Sequence, residues 1–458
     1  MPNRNFYVDP LNGSSSYDGT TSAGNISGTV GPFSSLTDVL WNGGDGSTKG
    51  GTGDVFFLVA STGDLILADD YYSYSFQDTP RWGYGVLGED ITDPYYKPPV
   101  FIGVDTNLNV LGTGPGDPSA TRYVINWHNT TSSQLTFFNE RGTHIWNNVE
   151  WLSTSTGGRN GMMFYFTSGG NGPYYINCKF DFSQSQTDYS ADLFSSSNPS
   201  GSFKDCIFLG PGVASSMDCI KLGQIYGQHA DVLNCKFDGW DGTQFFIMDG
   251  WDVVYKDYAC GMFYGNIIKN CGTGFLLMQD YVLAQGLTEL TNNLFYNITN
   301  NAIDFDGKAR FYGFICNNLF VDIGGYAFAG GANFFDYGSA IGSKWGKCQA
   351  KRNVIQNATS GVYDAYIPAS FLGVTGDALF GNFVDNVSVT GLTLSIDSNF
   401  GVTLESIPSS AFMRNSKDLF GATLSAPSTP LGFLLNTGAS GESSGGSSQE
   451  PEQGRVVS

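Results

Sequence analysis

Positive charge is scarce in this chain. Lys and Arg total 22 of 458 residues against 42 Asp and Glu, a net charge of −20. A surface of that sign repels phosphate backbones and anionic membranes, which argues against nucleic acid and membranes as partners. Charge of either sign is sparse, 14% of residues against the usual ~25%. Hydrophobic residues nonetheless reach 41%, which excludes a disordered chain. There are three histidines, His128, His144 and His229, far apart in the chain, so a His-based catalytic pair or metal site is not expected. No CxxC pair exists, and neither a metal nor a cofactor is expected. No apolar run approaches the ~18 residues of a membrane-spanning helix. The opening Met1-Pro2-Asn3-Arg4-Asn5 carries no apolar segment of the secretory kind. Synthesis in a host cytoplasm without a signal is the expectation, and with it eight reduced cysteines rather than disulfides.

What the chain has in abundance is turn residues and repetition. Glycine numbers 61, about twice its usual share. From Trp146 to Val384 a unit recurs: a small polar residue, then Cys or Asn, a spacer, and a large apolar residue. The copies include Asn177-Cys178-Lys179-Phe180, Asp205-Cys206-Ile207-Phe208, Asn234-Cys235-Lys236-Phe237, Gly265-Asn266-Ile267-Ile268, Asn292-Asn293-Leu294-Phe295, Asn317-Asn318-Leu319-Phe320 and Arg352-Asn353-Val354-Ile355. Asn148-Val149-Glu150-Trp151 precedes them and Gly381-Asn382-Phe383-Val384 follows. Taking the second residue as marker, the intervals are 29, 28, 29, 31, 27, 25, 35 and 29. A period of this size means stacked units. Short alternating runs such as Phe203 to Phe208, separated by Gly, Asn, Asp and Ser, make each unit two or three strands and their turns. That is one coil of a parallel β-helix, with neighbouring coils ~4.8 Å apart. Equivalent residues then lie above one another. The marker asparagines are expected to bond amide to amide from coil to coil, and the apolar residue two positions later to stack inside. Cys178, Cys206 and Cys235 read as three small buried thiols in the same column.

The coil pattern resembles the right-handed parallel β-helix family, the pectate-lyase-like proteins and bacteriophage tailspikes. So does the opening Phe6-Tyr7-Val8-Asp9-Pro10-Leu11-Asn12-Gly13-Ser14, followed by Asp18-Gly19-Thr20 and Pro32-Phe33-Ser34-Ser35-Leu36. The resemblance covers most of residues 5 to 400 and implies the fold: an all-β, right-handed, single-stranded parallel β-helix, a solenoid. For tailspike-like members it also implies a homotrimer.

In order, residues 1–53 form an N-terminal segment, with a helix over Ser34 to Trp41 capping the first coil. Residues 54–400 are the β-helix. An insertion at about 69–100 is dense in Tyr and Trp, including Trp82 and Tyr84. Those rings suit either glycan contact or packing as a lid. Residues 335 to 350 form a longer loop. Residues 401–437 close the body, with a short helix at Ser409 to Asn415, and residues 438–458 are a Gly/Ser-rich tail.

One acidic register stands out. Asp192, Asp249, Asp280 and Asp306 fall 13 or 14 residues past their markers. In a regular helix Asp249, Asp280 and Asp306 would share a face. Carboxylates on adjacent rungs would sit ~5 Å apart, the separation of a retaining glycosidase, and wider on alternate rungs, as in inverting ones. Trp251 and Tyr255 follow as a candidate sugar platform. Asp249-Gly250 and Asp306-Gly307 are equally turn dipeptides, where Asp caps the turn. The function expected on these grounds is a structural or recognition protein of a bacteriophage particle: a capsid-decorating, fibre or tailspike-like appendage contacting other virion proteins and host surface polysaccharide. The other reading is a polysaccharide depolymerase, hydrolase or lyase, on the same scaffold.

Overall fold

A computed structural model describes residues 4–22, 31–34, 54–61, 65–67, 74–75, 100–112, 114–127, 136–140, 145–154, 162–166, 174–184, 192–196, 201–212, 218–224, 229–240, 248–250, 260–279, 287–307, 312–330, 348–363, 382–384 and 386–406. Among these the chain is all β. The strands pair in parallel, apart from one hairpin near the end of the described chain. From Val55–Val59 to Val387–Val389 each strand pairs with its equivalent one coil later, not with its sequence neighbour. Strands from Asn5–Val8 to Asn382–Val384 stack into a twelve-stranded sheet. Strands from Leu65–Leu67 to Val387–Val389 make an eleven-stranded sheet. The third side is a six-stranded sheet ending at Met248–Gly250, then a four-stranded one from Phe275–Gln279 to Gly361–Tyr363. A chain that visits three sheets in rotation and always advances one strand is a parallel β-helix, right-handed as parallel crossovers are.

The interior follows from in-register stacking. Trp151, Phe180, Phe208, Phe237, Ile268, Phe295, Phe320 and Ile355 are successive partners of one column, and all are buried. Their rings stack from coil to coil, with centroids 5.0 Å apart for Phe180–Phe208 and 4.5 Å for Phe208–Phe237. Facing them from the twelve-stranded sheet is a column running from Phe6 and Phe56 through Phe101 and Trp146 to Tyr175 and Phe203.

The repeat marker has a definite job. The residue before it turns the chain in the left-handed region: Asn177 at φ 51, Asp205 at φ 55, Asn234 at φ 53, Asn292 at φ 59 and Asn317 at φ 56. Asn and Asp tolerate that conformation best among residues with a side chain, and Gly265 at φ 71 takes the same place in its coil. The marker side chain then turns inward. Asn266 Nδ2 donates to Asn293 Oδ1 at 2.9 Å, Asn293 to Asn318 at 3.0 Å, Asn318 to Asn353 at 3.0 Å and Asn353 to Asn386 at 2.7 Å. Each Nδ2 also donates to a core carbonyl of the previous coil, such as Asn318 to Leu290 at 2.9 Å. The thiols meet the same carbonyl column: Cys206 Sγ donates to Tyr175 O at 3.3 Å and Cys235 Sγ to Phe203 O at 3.5 Å. Cysteine and asparagine therefore fill one role. The ladder corrects the last sequence marker: its final member is Asn386, not Asn382. Asn382 lies in a strand opposite Gln349, and the pairing of Lys351 with Val384 carries position 353 to 386.

At the first coil, Phe33 bridges Val8, its N–H donates to Tyr7 O at 2.8 Å, and its ring stacks on Phe6. Gly19, at φ 73, passes where a Cβ would enter that ring. The start segment thus forms a short coil of its own. The helix expected over Ser34 to Trp41 lies, beyond Ser34, outside the described residues, as do the one at Ser409 to Asn415 and nearly all of the insertion at 69–100. The hairpin Thr393–Ile396 with Val402–Ser406 crosses the boundary expected at 400, and folds back over the outside of the eleven-stranded sheet. Leu392, Leu394 and Phe400 pack there on Ile267, Leu294, Leu319 and Val354.

Candidate functional site

The third side carries the acidic register, and the strand pairing decides which acids are neighbours. Asp249 is opposite Gly223, and Asp306 is opposite Met278. Neither pairs in register with another acidic residue on the adjacent described rung. Asp249 ends the six-stranded sheet, while Asp306 belongs to the four-stranded one. Asp280, Trp251, Tyr255, Trp82 and Tyr84 lie outside the described residues, as do His128 and His144. Asp192 does have an acidic partner. It pairs with Asp218 on the next coil, one interstrand spacing of ~4.8 Å away at the backbone. Counting residues from the marker misses Asp218, because it falls 12 past Cys206 rather than 13 or 14. Turn lengths vary between coils, so sequence distance from one turn does not hold register at the next strand.

The charged groups described in most detail lie instead on the outside of the eleven-stranded sheet. Lys179 Nζ bridges Glu150 Oε1 at 2.8 Å, one coil back, and Asp181 Oδ2 at 3.0 Å on its own strand. Burial pulls the Lys179 ammonium down, but the Glu150 bond and both carboxylates outweigh it and hold the pKa above the usual 10.5. Further along, two segments remote in sequence meet. The loop between Asp105 and Arg122 reaches Lys236, whose Nζ donates to Gly116 O. The hairpin turn brings Phe400 over Lys269, 4.3 Å from Nζ to ring centroid, with Lys236 at 5.7 Å on the same ring. Lys269 also donates to Asp397 O at 2.9 Å and pairs with Asp238 at 3.2 Å. Lys236, which reads in the sequence as a plain surface position, is half-buried here, and burial lowers its pKa.

Arg122 anchors the loop. It is buried and spends its guanidinium on carbonyls: Asn177 O at 2.8 Å, Asp117 O at 2.9 Å and Ala120 O at 3.0 Å, with Asn177 Oδ1 at 2.9 Å. Burial lowers its pKa from the ordinary guanidinium value. These groups are matched to one another and to backbone, the signature of a fastening rather than of chemistry. Arg122 and Phe400 escaped the sequence reading because neither belongs to the repeat. Among the described residues, no group of three His, Cys, Asp or Glu side chains is placed to hold a metal ion.

No protein-family model matches the chain, and no curated protein matches it. Among solved structures, the crystal structure of pectate lyase Pel9A matches with a TM-score of 0.39 and 15% sequence identity, over 80% of this chain and 79% of that one. The rung-by-rung register itself defines the parallel β-helix.

The remaining outer surface is that of the twelve-stranded sheet. Among the described residues, neither the hairpin nor the Arg122 loop lies across it, and it carries three large apolar side chains exposed from strands: Tyr174, Met262 and Tyr264, at 39%, 38% and 42%.

Proposed function

We propose that the chain is a structural and recognition protein on the surface of a bacteriophage particle: a capsid-decorating, fibre or tailspike-like appendage, assembled as a homotrimer. The observation that carries the reading is the continuous stacked rod. Its interior is locked by a column of marker bonds, and its described polar clusters fasten straps to the scaffold. A rod of that kind holds surfaces at fixed distances, which is what an appendage does. The resemblance of the opening segment and the coils to tailspike-like β-helices supports the placement on a virion. Host surface polysaccharide is the proposed ligand, with Trp251, Tyr255, Trp82 and Tyr84 as the aromatic contacts, and other virion proteins hold the rod. Antibody raised against the purified chain labels intact particles from the source phage if this is right. Particles that stay unlabelled while the free protein is recognised would remove the virion placement.

A second reading is favoured by one observation, the Asp192–Asp218 pairing on adjacent rungs. Two carboxylates at about 5–5.5 Å are the equipment of a retaining glycosidase. Under that reading the chain is a polysaccharide depolymerase, with Asp249, Asp280 and Asp306 as the alternative acids. Incubating the wild-type chain with host polysaccharide decides between the two. Release of oligosaccharides, abolished by Asp192→Asn or Asp218→Asn, makes it an enzyme at that pair. Loss through Asp249→Asn or Asp280→Asn moves the site along the rod. Intact polysaccharide retained on the protein supports the binder.

A further inference from the structure

We propose that the outer face of the twelve-stranded sheet, over its first eight strands, is the surface through which copies of this chain associate. The inference rests on the reading of the rod as one member of a homo-oligomer and assigns the face it uses.

The two long sheets show what cover does. Outside the eleven-stranded sheet, Ile207, Leu294, Leu319 and Val354 are fully buried, because the hairpin and its flanks lie on them. Outside the twelve-stranded sheet, residues of the same kind are only half-buried: Val55, Phe57, Ile102, Ile145, Ile176 and Leu233. In-register stacking gives each a neighbour above and below, and among the described residues no strand or hairpin lies in front. Tyr174, Met262 and Tyr264 continue the same two columns and are exposed. Natural strands that face water alternate toward polar residues, whereas eleven of the sixteen outward positions here are apolar or aromatic, Asn5, Asn147, Ser202, Lys204 and Asp231 being the others.

Charge and shape select the occupant. Across these eight strands the two columns hold one Lys, Lys204, and one acid, Asp231. The face is therefore neutral on a chain that carries −20 in all. Copies repel elsewhere and lose least by meeting here. Eight strands at ~4.8 Å make a strip ~34 Å long, and two columns of side chains make it ~15 Å wide. That is on the order of 500 Å² per copy, so about 1,000 Å² for two, the lower bound of a specific interface. A second copy presents ridges of identical spacing along the whole strip, which a globular surface does not.

Sedimentation of the full chain, with Tyr264→Glu, Met262→Glu and the milder Tyr264→Ser beside it, tests the assignment. The expected result is an assembled wild type, and variants whose self-association weakens by at least about thirty-fold, as for loss of a central aromatic anchor, with unchanged circular dichroism. A footprint on the wild type alone guards against variants that fail to fold. Hydroxyl-radical labelling of Tyr174, Met262 and Tyr264 should be slow in the assembled protein and fast after dilution to monomers. An assembled wild type whose variants stay assembled, or whose three residues label equally in both states, overturns the face and leaves the homo-oligomer standing. A wild type that is monomeric at every concentration overturns both. Protection of these residues in such a monomer would show that another part of the chain covers the strip.

Discussion

Asparagine and cysteine are unlike in polarity, yet they share one column, cysteine on three consecutive rungs and asparagine after them, because each donates to a carbonyl of the previous coil at the same height. Asn318 shows what the column contributes. Its Oδ1 accepts from Asn293 N at 2.9 Å and Nδ2 at 3.0 Å, and its Nδ2 donates to Leu290 O and Asn353 Oδ1. Asn318→Leu takes the side-chain partner from Asn293 N and Leu290 O, while Asn293 Nδ2 keeps Phe263 O and Asn353 Oδ1 keeps the N–H of residue 318, at about 1–3 kcal/mol for each orphaned group. Its melting temperature should fall well below that of the exposed control Glu405→Gln. Asn318→Cys, which imitates the earlier rungs, should lose distinctly less; equal losses for Leu and Cys would deny the shared role. The thiols add a pH signature. Burial holds Cys178 and Cys206 well above their ordinary 9.0, and raises Cys316 less strongly. The folded chain keeps protons that the unfolded chain releases, so this stability is complete below 9.0 and is lost as pH rises beyond it. Urea midpoints should decline from pH 8 to pH 10, and the decline should be shallower in Cys206→Ala. Six of the eight cysteines, Cys178, Cys206, Cys219, Cys235, Cys271 and Cys316, are buried and form no disulfide, so thiol reagents should reach them only on unfolding.

The elements that matter beyond the coil are two straps on the eleven-stranded sheet. The hairpin turns tightly at Asp397, whose Oδ1 accepts from Asn399 N at 2.8 Å and Gly401 N at 2.7 Å, and Phe400 takes φ 60 to point its ring at the lysines. Phe400 is 3% exposed. Truncation to Ala removes burial on the order of 3–5 kcal/mol and two cation–π contacts. That exceeds what a short hairpin holds by itself. Phe400→Ala should therefore release the hairpin before the coils melt. Amide exchange over Thr393–Ser406 should rise by orders of magnitude, dye binding to the bared Leu294–Leu319–Val354 face should appear, and the main transition should move only a little. Unchanged exchange in that segment would show that the hairpin is held elsewhere. The Arg122 loop offers the counterpart. Arg122→Met removes donors from four acceptors and should loosen residues 105–122 in the same assay.

For the whole molecule, a solenoid is stabilised by nearest-neighbour contacts, so damage stays near its rung. The residues from Gly438 onward include Gly441 to Ser448 and few apolar side chains. Truncation at Gly438 should leave the melting temperature unchanged, because no core is removed; a large fall would mean that the tail packs on the rod.

The chain's period by itself determined the β-helix, the inward column of large apolar residues and the marker ladder from Asn266 to Asn353. Each of those is a local repeat read once per coil, and stacking turns equal sequence positions into contacts. The acids on the third side were not determined in this way. Turn lengths differ from coil to coil, so a constant offset from the marker drifts, and only strand pairing shows that Asp192 meets Asp218 while Asp306 meets Met278. The same drift placed the last marker at Asn382 instead of Asn386. Arg122 and Phe400 sit outside the repeat, 55 residues from Asn177 and 131 from Lys269 respectively. Nothing periodic announces partners at such distances. Which outer face the hairpin covers, and which it leaves bare, was settled by tertiary structure alone, because both sheets offer similar apolar columns and only the path of the returning chain distinguishes them.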